Sequence, residues 1–214
     1  MLYNDFGDMM IIRYIILNDS IVWEDISAYL PLLPAERCGK IARYRFEKDK
    51  LTSAVAGLMI RHMTGERELV YGEYKKPYVK DCDDLFFSVS HSGRCVAIAV
   101  DETEVGLDVE QIRTKDIEKF SRRFFSSGEQ AYMDSSMDKP SAFTEIWTRK
   151  EAYLKCKGTG IAEDLTAFDT VSDELSECLH TVSLGDYILS VCSKKPLYLS
   201  DIQISKLELK EVLP

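Results

Sequence analysis

The clearest alternation of apolar and polar positions runs through VGLDVEQ at residues 105–111, where Val105, Leu107 and Val109 fall on one side of an extended segment. A period of two puts Asp108 and Glu110 together on the other side. Upstream, residues 9–17 (MMIIRYIIL) read as a buried strand, and residues 85–89 and 95–100 as two more strands joined by a His-Ser-Gly turn. Between them the period becomes helical. Leu51, Val55, Leu58, Met59 and His62 recur at helical intervals before Gly65, which predicts a helix over 51–63 closed by that glycine.

The second half repeats the theme. A helical stretch leads through Phe124 and Phe125, a second carries Trp147, and strands are predicted near 167–171, 187–192 and 197–204. Each half is then helix plus strands with mostly short connections, which predicts an α+β fold of two similar halves rather than a parallel βαβ sheet. A division near residues 101–105 gives an N-terminal half over 1–104 and a C-terminal half over 105–214.

In FTEIWTRKEAYLKCKGTG at residues 143–160, a helix brings Trp147, Glu151 and Lys155 onto one flank at i, i+4 and i+8. Asp108, Glu110, Glu151, a lysine and a following Gly-Thr-Gly point to a hard cation, Mg²⁺, holding a phosphorylated substrate. Each piece has an ordinary reading when taken alone. Asp108 and Glu110 can be the wet side of a half-buried strand, and Glu151 with Lys155 an exposed ion pair contributing about 0.3 kcal/mol. SVSHSG at 88–93 sets His91 between Ser90 and Ser92 at a strand end, where it can donate to a phosphate; a turn whose serines satisfy local backbone is the alternative. Lys76, fixed by Pro77, reads by itself as part of an exposed loop.

Charge narrows the class. The 214 residues carry 27 Lys plus Arg against 36 Asp plus Glu, a net charge of -9, which argues against a broad nucleic-acid surface. Any polyanion must be met locally, and one basic stripe exists: Lys115, Lys119, Arg122 and Arg123, at i, i+4, i+7 and i+8 ahead of Phe124 and Phe125. It is either a docking face for an acidic partner or a solvated face offset by Asp116 and Glu118. The six cysteines (38, 82, 95, 156, 178 and 192) form no C-x-x-C pair and have three histidines beside them, so neither a zinc site nor a disulfide framework is expected. The apolar run at 9–17 is interrupted by Arg13, so no signal peptide or membrane span is expected either. The reading is a reduced, cytoplasmic enzyme.

Taken in order, four segments resemble the 4′-phosphopantetheinyl transferases of the longer, surfactin-synthetase-activating (Sfp) type. That family's hallmarks are G-K-P, S-H-S, G-(V/I)-D-(V/I)-E and W-x-x-K-E-A-x-x-K-x-x-G-x-G. Here they read Lys75-Lys76-Pro77, Ser90-His91-Ser92, Gly106-Leu107-Asp108-Val109-Glu110 and Trp147 through Gly160, a resemblance over roughly residues 40–160. Lys75 replaces the usual glycine, and Leu107 stands where a β-branched residue is usual. The family's D-x-x-R spacing in the upstream helix is absent from residues 42–57, where Arg43, Arg45, Lys48 and Lys50 are the substitutes.

The resemblance implies transfer of phosphopantetheine from coenzyme A to a serine of an acyl or peptidyl carrier protein, leaving adenosine 3′,5′-bisphosphate. It implies Mg²⁺, or Mn²⁺, on Asp108, Glu110 and Glu151. Glu151 would take the serine proton, directly or through a metal-bound water, and Lys155 would neutralise the departing phosphate. Lys76, Pro77, Ser90 and His91 would surround the nucleotide phosphates, with Arg43 and Lys40 for the 3′-phosphate. It further implies a monomer of two halves related by pseudo-two-fold symmetry, with no nucleic-acid or membrane partner. Two rival readings are a non-catalytic coenzyme A or carrier-binding module and a metal-dependent phosphatase. The intact carboxylates and Lys155 argue against the first, and the scarcity of further His or Asp ligands against the second.

Overall fold

The computed structural model describes residues 9–72, 74, 76–160 and 164–214; Lys75 lies outside them. The first apolar run forms β1 (Met10–Ile16) and is followed by two short helices, α1 (Trp23–Ser27) and α2 (Ala35–Ala42). The long helix α3 (Glu47–Thr64) begins a turn earlier than its apolar repeat and stops at Gly65, whose φ of 67° lets its N–H reach Arg61 O. A left-handed residue of this kind is what closes helices, and glycine adopts it at no steric cost. After the hairpin β2 (Leu69–Tyr71) and β3 (Pro77–Val79) come β4 (Phe86–Ser92) and β5 (Cys95–Asp101).

The second half opens with β6 (Val105–Gln111), then α4 (Ile117–Phe124), α5 (Ser127–Ser135) and the long α6 (Lys139–Lys157). Short α7 (Asp173–Ser176), β7 (Leu179–Ser183), β8 (Tyr187–Ser193), β9 (Ile202–Lys206) and α8 (Leu209–Val212) complete it. Both halves run strand, long helix, strand, strand. In the first, β5 lies antiparallel between β4 and β1; in the second, β8 lies antiparallel between β7 and β6. The α+β fold of two similar halves is therefore repeated down to strand order. β9 breaks the repeat by returning to the first sheet, parallel to β1.

Burial explains the layering. Ile11, Ile15, Val96, Ile98 and Val100 pack under Leu51, Val55, Leu58 and Met59 of α3. The other face of that sheet contributes Met10, Ile12, Ala97 and Ala99 to a cluster with Val105, Leu107, Val109, Leu189 and Val191 of the second sheet. The face of β6 that carries Gly106 is left to α6. That helix is capped by Asp138, which accepts from Ser141 N, and closed by Gly158 at φ 72°.

Two of the expected strands differ. Residues 167–171 do not pair into a sheet, because side chains take up their backbone groups: the distant Glu129 accepts from Thr170 N at 2.9 Å and the local Asp169 from Val171 N at 2.9 Å. The strand of this region is β7, further on. Over 197–204, a 3₁₀ turn at Leu199–Asp201 delays the strand to Ile202.

The same Glu129 anchors α6. Its carboxylate pairs with Lys150 Nζ at 2.8 Å, both side chains being at most 1% exposed. Lys150 also donates to Leu165 O at 2.6 Å and Phe168 O at 2.9 Å, so a buried charge pair ties helix α6 to the segment after it. Removing one partner strands the other in a dry site, which costs about 3–5 kcal/mol. Lys150→Met should lower stability by that amount in urea unfolding, and Glu129→Gln added to it should recover part of the loss. An unchanged midpoint in the single variant would show that this pair does not hold the helix down.

Candidate active site

Gly106 sets how close α6 comes to β6. A Cβ there would run into the Ala152 carbonyl and the Cys156 backbone, with Cys156 Cα at 2.9 Å. Only a residue without a side chain admits the helix at this distance. The close approach brings Lys155 over Asp108, and Glu151 within its electrostatic reach.

Asp108 is 4% exposed, and its Oδ1 accepts from Ser90 Oγ and from Lys155 Nζ, each at 2.7 Å. Lys155 also donates to Ser90 Oγ and Leu107 O, both at 3.1 Å. Asp108 Oδ2 is buried with no hydrogen-bond partner among the described residues. Glu110 accepts from Ser92 Oγ, yet burial and the Asp108 charge push its carboxyl up to about 7. Burial and Asp108 raise Glu151 as well. Each carboxylate thus feels the others in a partly dry site, and a single lysine does not balance them.

These features fit a hard cation. The orphaned Asp108 oxygen offers it a ligand, and its charge would relieve the repulsion that raises Glu110 and Glu151. Among the described residues, however, no three His, Cys, Asp or Glu side chains converge into a ready-made cluster. Lys155 holds Asp108 Oδ1 instead, so binding a cation would redraw these contacts.

On the other side of Lys155 the charge reverses. A cavity of about 670 Å³ is lined by Arg37, Lys40, Arg43, Tyr71, Pro77, Ser90, His91 and Lys155, with Glu36 among them. His91 is pushed down to about 4, first by burial and then by Lys40, Arg37 and Lys155. It is therefore a neutral imidazole at pH 7, with Nδ1 at 3.5 Å from Thr52 Oγ1. The same cations that discharge it create a local positive potential suited to an anion. A second, more apolar cleft of about 280 Å³ meets the first at Pro77, Val89 and Lys155 and runs past Glu151, Leu154, Gly158 and Gly160.

The sequence-derived residues separate along these lines. Glu151, Lys155, Ser90, His91, Arg43 and Pro77 line the two cavities, while Asp108 reaches them through Ser90 and Lys155 and Glu110 is held by Ser92. Lys76 lines the apolar cleft, but its ammonium pairs with Glu104 and donates to Val105 O at 3.3 Å and Cys156 O at 3.4 Å, away from the cationic cavity. Arg45 and Lys48 gather over the exposed Phe46 ring instead. Sequence reasoning missed Arg37 and Tyr71. The signal for Arg37 was its spacing, since Arg37 and Lys40 fall three apart along α2 and Arg43 follows at its C-cap.

The sequence model of the 4′-phosphopantetheinyl transferase superfamily matches residues 104–198. AcpT of Salmonella typhi, a 4′-phosphopantetheinyl transferase, is 35% identical over 153 residues, covering 70% of this chain and 79% of its own. This chain belongs to that superfamily. It is a transferase enzyme, similar also to psf-1 of Bacillus pumilus, 29% identical over 211 residues, covering 88% of this chain and 90% of its own. Sfp of Bacillus subtilis (strain 168) is 26% identical over 209 residues, covering 86% and 92%. The superfamily match takes in Asp108, Glu110, Glu151 and Lys155 of the transferase. Arg37, Lys40 and His91, which make its cationic cavity, lie outside the matched range.

A carboxyl raised by its surroundings favours the protonated folded state, so the stability it contributes is present at low pH and lost as pH rises from its ordinary 4.5 through about 7. In chelator, the melting temperature of the transferase should fall across that window by about 5 °C more than that of Glu110→Gln. Equal slopes for the two proteins would remove the like-charge account of this site.

Proposed function

We propose that this transferase moves 4′-phosphopantetheine from coenzyme A to a serine of an acyl or peptidyl carrier protein, releasing adenosine 3′,5′-bisphosphate. The observation that carries the reading is Lys155, which stands where a cationic cavity, an apolar cleft and three carboxylates meet. Arg37, Lys40 and Arg43 are suited to the nucleotide's phosphates, and neutral His91 can give them an N–H without adding charge. The narrower apolar cleft suits the less polar pantetheine arm. Residues 1–104 would supply the phosphate contacts, and residues 105–214 the carboxylates and the catalytic helix.

Asp108, Glu110 and Glu151 would hold Mg²⁺ or Mn²⁺, which when bound neutralises charge on the transferring phosphoryl oxygens. Glu151, standing on the helix side and with its carboxyl raised by burial and Asp108, takes the serine proton as the serine oxygen bonds to phosphorus. The bond to the nucleotide's phosphate oxygen breaks in the same displacement. Lys155 meets the charge left on that oxygen. The serine, rather than water, accepts the group, which separates this reading from a phosphatase.

Weighing an apo-carrier after incubation with the protein, coenzyme A and Mg²⁺ tests the reading; a carrier of unchanged mass would sink it. Asp108→Ala should abolish transfer while the circular dichroism spectrum stays native. Lys155→Met should lower kcat about 100-fold and change KM for coenzyme A far less. A pure KM effect would move Lys155 to ground-state binding.

The basic stripe supports a docking face for an acidic carrier. Lys119, Arg122 and Arg123 are exposed on α4, and Lys115 precedes the helix. Phe125 is buried, and Phe124 packs edge-on against Trp147 with Arg123 over its ring, so the stripe offers charge and one half-buried aromatic. Reversing Lys119 and Arg122 to Glu should raise KM for the carrier several-fold and flatten its salt dependence, with KM for coenzyme A unchanged. An unaltered carrier KM at low salt would return the stripe to ordinary surface.

A further inference from the structure

Three cysteines far apart in sequence meet behind the catalytic helix. Cys156 lies in the last turn of α6, directly after Lys155, and Cys192 on the central strand β8; they are 4% and 2% exposed. Both belong to one small apolar cluster with Ala152 and Leu179, and half-buried Cys178 packs against it.

The backbone brings them together. In the β8 register Cys192 stands opposite Gly106 on one side and Leu179 on the other. Gly106 is also the point at which α6 comes closest to the sheet, under Cys156. There the Cys156 thiol donates to Glu104 O at 3.3 Å and the Cys192 thiol to Ser193 O at 3.7 Å, both cysteines within that one cluster. Cys178 is kept at the rim of the pair by its carbonyl, which accepts from Ser193 N at 3.0 Å.

The surroundings also make the sulfurs unequal. The neighbouring Cys192, helped by Lys76, holds the Cys156 thiol below its ordinary range against the effect of burial. Its neighbour Cys156 and then burial push Cys192 up, and burial raises Cys178. Cys156 is therefore the sulfur most ready to act as the nucleophile of the pair.

We propose that Cys156 and Cys192 form a redox modification site, closed into an intramolecular disulfide by hydrogen peroxide, with Cys178 as the thiol through which oxidation enters. The Cys178 thiolate attacks peroxide; an S–O bond forms, the O–O bond breaks, and hydroxide leaves and is protonated to water. Cys156 sulfur then attacks the resulting sulfenic sulfur, forming an S–S bond and releasing a second water with the thiol proton. Cys192 sulfur attacks Cys156, and Cys178 leaves as a thiol again. In sum, two thiols give two electrons and two protons to one peroxide, which becomes two waters.

A covalent bond draws two sulfurs closer than packing contact does. The last turn of α6 must follow, and that turn carries Lys155 and the Cys156 carbonyl on which Lys76 rests. Oxidation would thus weaken transfer by displacing both lysines. This consequence rests on the proposed coenzyme A reading, whereas the bridge itself does not.

The full-length protein, treated with hydrogen peroxide, quenched in acid, alkylated and digested, is read by mass spectrometry. The expected product is a peptide joining Cys156 to Cys192, about 2 Da below the two free peptides together and absent after dithiothreitol. Its formation should slow several-fold in Cys178→Ser, and transfer activity should fall in step with it in the wild type but not in Cys192→Ser. Adducts confined to Cys178, Cys82 and Cys38, with Cys156 and Cys192 alkylated as free thiols after unfolding, would overturn the site. An unchanged rate in Cys178→Ser would overturn the entry route, and a bridged protein with undiminished transfer would overturn the coupling to the catalytic helix.

Discussion

The arrangement depends on how two outer strands, β4 and β6, are joined without becoming one sheet. Serine hydroxyls do it. Ser88 Oγ accepts from Leu107 N at 2.9 Å, Ser92 Oγ accepts from Gln111 N at 3.2 Å, and Ser90 Oγ donates to Asp108. Alternation puts the three serines of β4 on one side, in step with β6, so side chains stand in for a backbone ladder. Asp108 and Glu110 accept from the serines of this seam, while alternation turns His91 to the other face of β4, toward Thr52 of α3.

Two opposed fields meet at β4. Burial and then the arginine and lysines around His91 keep it neutral, while burial and the Asp108 charge raise the carboxyls of Glu110 and Glu151. Lys155 is common to both. Its ammonium partly screens the acidic side and contributes to the positive side, which is the pattern required of a group that must hold a phosphate next to carboxylates. The basic helix α4 is a second cationic surface, so the chain's overall negative charge hides two local reversals.

Much of this was legible in the sequence because period and chemistry coincide in β6 and α6. Val105, Leu107 and Val109 fixed the strand's inner face, and that left Asp108 and Glu110 for the other. Trp147, Glu151 and Lys155 needed only the helical repeat. What stayed hidden depends on contacts between distant segments. Residues 167–171 have the apolar content of a strand, but Glu129 and Asp169 take its backbone hydrogen bonds. Lys76 has the right neighbour in Pro77, yet Glu104 draws its ammonium aside. Cys156, Cys178 and Cys192 look scattered until the strand order of the second sheet sets them together.

The return of β9 to β1 has a bearing on how the protein is made. Met10 pairs with Ile202, so β1 waits for a strand far downstream before its outer edge is covered. Until then β1 presents open amides along an apolar strand, the kind of edge that recruits other chains. Closing a loop of that length is slow, and contacts so far apart in sequence retard folding. The sheet that β1 belongs to is thus completed only once the second half has been synthesised.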